Sequence, residues 1–272
     1  MKRFFAAALG CVLLLETASA AEAPLVPALE LRRAVADVAL IACQAGITSA
    51  MTGREPEQNS RIDAQLMDAR GKVAAEIAPS FVDQAIRDSK QHGRALWLRR
   101  LSLTITDYDL VPACSEYARA NYSTRTAYEA FAQKRLTKVP PVSDGDIAAA
   151  TERADRQRNA NRKPPASLSG FWSDSESCAT GRRFQFQEGV MASDPLRGRN
   201  GGPPEFAAMR LPVDQYRQEK GGVLVVAKTG ETILVRATGP DRLDLEAVLV
   251  APQSVCGAMT EAGPLFRCGG KP

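Results

Sequence analysis

ASLSGFWSDSESCATGRRFQFQEG, residues 166–189, is where the chain changes character. Upstream, apolar residues recur three and four apart in alanine-rich text, the spacing of a helix with one buried face. Downstream they alternate with polar residues, the period of a half-buried strand. The fold class read from this switch is α+β: an N-terminal helical domain followed by a C-terminal antiparallel β-meander or small β-barrel.

The β half carries its own punctuation. Phe184 and Phe186 alternate with polar neighbours, as do the runs beginning at Val223, Thr232 and Leu243. Thr229-Gly230 and Gly239-Pro240-Asp241 supply turns between them. With Phe171-Trp172 before and PLFRC after, the count is about seven or eight short strands. The stretch Asp194 to Pro204, rich in glycine, proline and arginine, reads as a loop. Its Arg197 and Arg199, together with Trp172, are the candidate binding residues.

In the helical half, Leu31, Val35, Val38 and Ala42 form one stripe, and Ile62, Leu66, Ala69, Val73 and Ile77 a second. Pro79 is expected to end the second helix. Ser80 with Asp83 is expected to cap a third, stopped by Gly93. Leu96 to Tyr108 fits both periods and is read as helix from its neighbourhood. Pro112 is placed in the first turn of a long helix carrying Cys114, Tyr117, Tyr128 and Phe131. Between the halves, Ser143 and Asp146 cap a polar helix to about Asn159 with little to bury, before Pro164-Pro165 stop it. Its Arg153, Arg156, Arg158, Arg162 and Lys163 are read as a solvated face, with an acidic partner or a membrane surface as the functional alternative.

The N-terminus is an address. Lys2 and Arg3 precede an apolar run from Phe4 to Leu15, and Ala18-Ser19-Ala20 is an A-x-A cleavage site. The run is too short to span a bilayer, which needs about 20 apolar residues. The expected organisation is a signal peptide at 1–20, a helical domain at 21–139, a polar helical linker at 140–166 and the antiparallel β domain at 167–272. The expected location is the bacterial periplasm or outside the cell, with no transmembrane segment after cleavage.

Five cysteines follow the cleavage site: Cys43, Cys114, Cys178, Cys256 and Cys268. In an oxidising compartment such residues pair. Grouping by half makes Cys43 with Cys114 the natural bridge. In the β half Cys178 with Cys268 is preferred over Cys256 with Cys268.

A resemblance adds to this reading. Gly170-Phe171-Trp172 resembles the G-x-W of the first strand in lipocalin-type barrels. Phe266-Arg267-Cys268 is similar to the aromatic-x-Cys strands of small exported barrels such as bacterial lysozyme inhibitors. The resemblance is confined to the β half. It implies that Trp172 plugs one barrel end and that a late arginine, Arg267 or Arg236, packs across it.

Little in the sequence promises catalysis. The one histidine, His92, sits in QHGR without a nucleophile elbow. Neither CxxC nor HxxxH is present for a metal, and no phosphate-binding glycine loop follows a strand. Asp107 with Asp109, and Asp174 with Glu176, are the only carboxylate pairs of note. The net charge of +4 includes no sustained basic face with interspersed aromatics, so nucleic acid is not an expected partner. The reading is a non-enzymatic exported binding or interaction module, without cofactor or metal, that meets a protein partner in the cell envelope or a small apolar ligand. The alternative is an inhibitor-like barrel that blocks an envelope-directed hydrolase such as lysozyme, using the loop from Ser193 to Pro204.

Overall fold

Two glycines facing each other bring the first and third helices into backbone contact. A Cβ on Gly93 would lie 2.0 Å from the Cys43 carbonyl oxygen, and one on Gly46 would lie 2.1 Å from that of Lys90. The computed structural model describes residues 26–51, 56–135, 138–179, 181–194, 209–251, 254–261 and 263–269. In it α1 (Leu29–Ala50) packs against α2 (Pro56–Ala74), α3 (Pro79–Leu101) and α4 (Asp107–Ala118). Most of the predicted stripe residues bury: Val35, Val38, Ala42, Leu66, Val73 and Ile77 join Phe81, Tyr122 and Tyr128 in one core, Leu31 and Ala69 pack half-buried against it, and Ile62 is likewise only half-buried.

The helix boundaries differ from the sequence reading at several positions, each for a physical reason. Pro79 opens α3 instead of ending α2, because a proline at the first helical position loses only an N–H that would be unpaired there. Ser80 consequently lies inside α3, and Ala78 is the N-cap. Gly93 does not stop α3; its missing side chain is what admits α1. Within Leu96 to Tyr108, α3 stops at Leu101 and the chain turns through Leu103 at φ 58° to Thr106, whose N–H donates to Asp109 Oδ2 at 2.7 Å and after which α4 begins at Asp107. Pro112 is therefore well inside α4. The long helix expected beyond it is broken into α4, a π-helical turn at Arg119–Ser123 and α5 (Arg125–Ala132), which Thr124 caps by accepting from the Ala127 N–H at 3.1 Å.

The connecting helix α6 (Asp144–Ala160) starts at the expected capping box: Asp146 N–H donates to Ser143 Oγ at 3.1 Å, and Ser143 N–H to Asp146 Oδ2 at 2.9 Å. It is not merely solvated. Ile147 is buried, and Arg94 Nε donates to the Val142 carbonyl at 3.0 Å, so α6 lies across α3 and reaches the barrel.

The β half is a closed antiparallel barrel whose eight strands neighbour one another in chain order: β1 (Phe171–Ser173), β2 (Arg183–Gln187), β3 (Val190–Asp194), β4 (Met209–Glu219), β5 (Gly222–Ala227), β6 (Thr232–Gly239), β7 (Arg242–Leu249) and β8 (Leu265–Arg267). β1 pairs with both β2 and β8, so no edge is left open. Alternate residues point inward, and Trp172, Phe184, Met191, Val225, Ile233, Leu243 and Leu265 form one core without solvent exposure above 1 %. At the end where β6 meets β7, the Trp172 Nε1–H donates to the Leu168 carbonyl at 3.1 Å, and the Arg267 guanidinium lies 4.3 Å above the ring. Arg267, not Arg236, takes this position; Arg236 pairs with Glu246 at 2.6 Å on the outer wall. Gly170 at φ 105° turns the chain under that arginine, a conformation that a side chain would strain. At the opposite end a short helix, α7 (Val255–Thr260), inserts Cys256 and Met259.

The glycine contact makes a contrast that chemical denaturation resolves. Gly93→Ala and Gly46→Ala are each expected to destabilise by about 1–3 kcal/mol, because the clash with a backbone carbonyl outweighs the helix-propensity gain of about 1 kcal/mol. Gly71→Ala in α2, where nothing lies within 4 Å, should raise the urea midpoint instead.

Candidate functional site

The structure places the residues singled out in the sequence mostly in structural roles. Trp172 is 0 % exposed beneath Arg267. Arg197 and Arg199 lie outside the described residues, as does most of the Ser193 to Pro204 loop. The preferred bridges are both formed, Cys43–Cys114 and Cys178–Cys268, each with Cα atoms 5.7 Å apart. Cys256 remains a buried thiol whose pKa burial pushes up, with the Glu231 carboxylate adding to the effect. The carboxylate pairs are consumed locally: Asp107 binds Arg100, Asp109 caps α4, and Asp174 accepts from the Arg182 N–H at 2.7 Å. Among the described residues no group of three or more His, Cys, Asp or Glu side chains is placed to hold a metal ion, and no helix is long and apolar enough to cross a membrane.

His92 sits inside α3 and stacks on Tyr117 with ring centroids 3.9 Å apart. Burial, reinforced by the Arg99 charge, holds it below its ordinary value of 6.5. The neutral ring is thus the folded form, and the unfolded chain takes up a proton first as pH falls. His92's contribution to stability is complete above pH 6.5 and declines as pH falls through the folded value. Thermal melts from about pH 7.5 to pH 5 should therefore lose stability more steeply in the native protein than in His92→Gln.

The arrangement with chemical promise lies at the seam between the halves. A cleft of about 600 Å³ is walled by α1 through Ile47 and Thr48 and by its C-cap Met51, by α3 through Trp97 and Arg100, by α4 through Leu110 and Val111, and by α6 through Thr151. The turn between β5 and β6 completes it with Lys228. Two features position this turn. Arg100 Nε meets Asp107 Oδ1 at 2.6 Å while another guanidinium N–H donates to the Lys228 carbonyl, and the Asp107 N–H donates to the Thr229 carbonyl at 2.7 Å. On the α6 side Arg158 joins Asp155 and the barrel's Asp214, both at 2.6 Å. The clefts' acids are thereby matched by arginines, and Lys228, exposed to solvent, is left without an ion pair among the described residues.

Two uncharged polar atoms of the lining residues are buried without a hydrogen-bond partner, Trp97 Nε1 and Thr151 Oγ1; Arg158 Nε likewise makes no hydrogen bond but faces Asp214 Oδ1 as an ion pair at 2.6 Å. An unmade hydrogen bond of this kind costs about 1–3 kcal/mol. Trp97 is half-buried, its body on the apolar cluster of Cys43, Ile47, Leu96, Leu110 and Cys114. No signal in the sequence joins residues from 47, 97, 110, 151 and 228, because five separate elements carry them. No family model, curated protein or solved structure matches the chain.

The Cys43–Cys114 bridge staples α1 to α4 directly beneath the cleft, closing 71 residues of sequence. The double variant Cys43→Ser, Cys114→Ser should lose about 4 kcal/mol by the chain-entropy relation, measured by urea unfolding.

Proposed function

We propose that this is an exported protein of the bacterial envelope that works as a non-enzymatic binding module, with the Trp97 cleft as its ligand site. The observation that carries the reading is the pair of unpartnered buried polar atoms, Trp97 Nε1 and Thr151 Oγ1, on one cleft of about 600 Å³. That volume lies within the range of small-molecule sites, which are mainly apolar with a few placed polar groups. Ile47, Met51 and Leu110 receive the apolar body of the ligand, the indole N–H donates to its acceptor, and Lys228 favours an acceptor with negative charge.

Export is supported by the leader-like first twenty residues and by two disulfides, which persist in oxidising compartments. The filled barrel serves as a rigid wall in this reading: its inward side chains pack on each other, and α7 and Trp172 occupy its two ends.

Titration with anilinonaphthalene sulfonate, an apolar probe with an anionic acceptor, tests the site. Saturable binding with energy transfer from tryptophan is expected, weakened roughly tenfold in Trp97→Phe, which removes one charge-assisted hydrogen bond, and little changed in Trp172→Phe. Equal affinity in native and Trp97→Phe protein, with circular dichroism showing both folded, would sink the reading.

A further inference from the structure

A second groove runs along the other side of α6. Its α6 wall is a single helical face on which Ala149, Ala150 and Ala154 leave a slot, and its facing wall is Leu98 and Leu101 of α3 with Leu103 from the following turn. The volume is about 630 Å³. Three arginines border it: Arg99 from α3, Arg153 from α6 and Arg217 from β4. Arg217 is paired with Glu219 at 2.6 Å. Arg99 and Arg153 make no ion pair or side-chain hydrogen bond among the described residues, although several carboxylates lie on the same helix. The one acid on the lining, Asp146, is held by Ser143 in the α6 capping box, which keeps its carboxyl below the usual range.

This sorts the cations of the connecting helix. Arg156 pairs with Glu152, Arg158 with Asp155 and Asp214, and Arg162 with Glu188. Arg153 alone among these arginines has no pair, and it lines the leucine–alanine slot with Arg99.

We infer that this groove binds a free single-chain amphiphile with an anionic head group, its chain between the leucines and the alanines and its head group among Arg99, Arg153 and Arg217. Charge complementarity sets the sign of the head group. The volume suits one chain of ligand size, whereas a docked peptide helix needs a longer groove to seat anchors over successive turns. The inference is independent of the Trp97 cleft, which shares only Leu101 with this lining.

The test is calorimetric titration of the disulfide-bonded protein with dodecanoate below its micelle concentration. One saturable site is expected, weakened about tenfold or more by the double variant Arg99→Gln, Arg153→Gln, and reduced for neutral dodecanol. Ala150→Leu, which fills the slot without touching an arginine, should also block binding. Trp97→Phe should leave it unchanged. Absent binding, binding that survives both the glutamine variant and Ala150→Leu, or binding lost in Trp97→Phe overturns the inference. So does a groove that takes an oligoglutamate peptide and rejects dodecanoate, since it is then a protein-docking surface.

Discussion

Arg100 holds the two halves of this protein in register. It sits in the last turn of α3, with only 13 % of its side chain exposed, and its guanidinium reaches Asp107 in the first turn of α4 and the Lys228 carbonyl of the β5–β6 turn. Both charges complement the helix ends they occupy, a cation near a C-terminus and an anion near an N-terminus. Partial burial gives this pair a desolvation cost that an isolated pair recovers poorly. Here the added bonds to Lys228 and from the Asp107 N–H to Thr229 offset it and fix where the barrel meets the helices.

The same turn is anchored from inside the barrel. Glu231 is 1 % exposed, accepting from Thr229 Oγ1 at 2.9 Å and from the Ala251 N–H at 3.1 Å. A buried carboxylate without such donors would be costly, so the turn and the segment leading to α7 are constrained together. The barrel is thus rigid where it faces the seam and full where another barrel would hold a ligand. Recessed surface with polar groups to spare is found along α6, which separates the Trp97 cleft from the arginine-bordered groove. Joining the halves makes both recesses: α6 contributes a wall to each, β4 supplies Arg217 to one, and the β5–β6 turn supplies Lys228 to the other.

Much of the architecture was legible in residue order. Periods of 3.6 and two are local consequences of backbone geometry, so the change at residues 166–189 separated helices from strands, and the Ser143–Asp146 box marked the start of α6 to the residue. The Cys43–Cys114 bridge followed from the division into halves, whereas in the β half that division left three cysteines and the fold chose Cys178 with Cys268. Gly93 and Pro79 were misread because each has two local meanings: glycine ends helices or admits a neighbour, and proline ends one helix or opens the next. The close approach of α1 decided for Gly93, and the start of α3 at its first helical position decided for Pro79.

Local pattern therefore determined the class of fold and the start of α6. Tertiary structure decided that the barrel closes, that Arg267 covers Trp172, and that Trp97 lies on a cleft with its N–H unpaired. The reason is range. Periodicity and caps depend on neighbours within a few residues, whereas a cleft assembled from α1, α3, α4, α6 and one barrel turn exists only after long-range contacts have set those elements side by side.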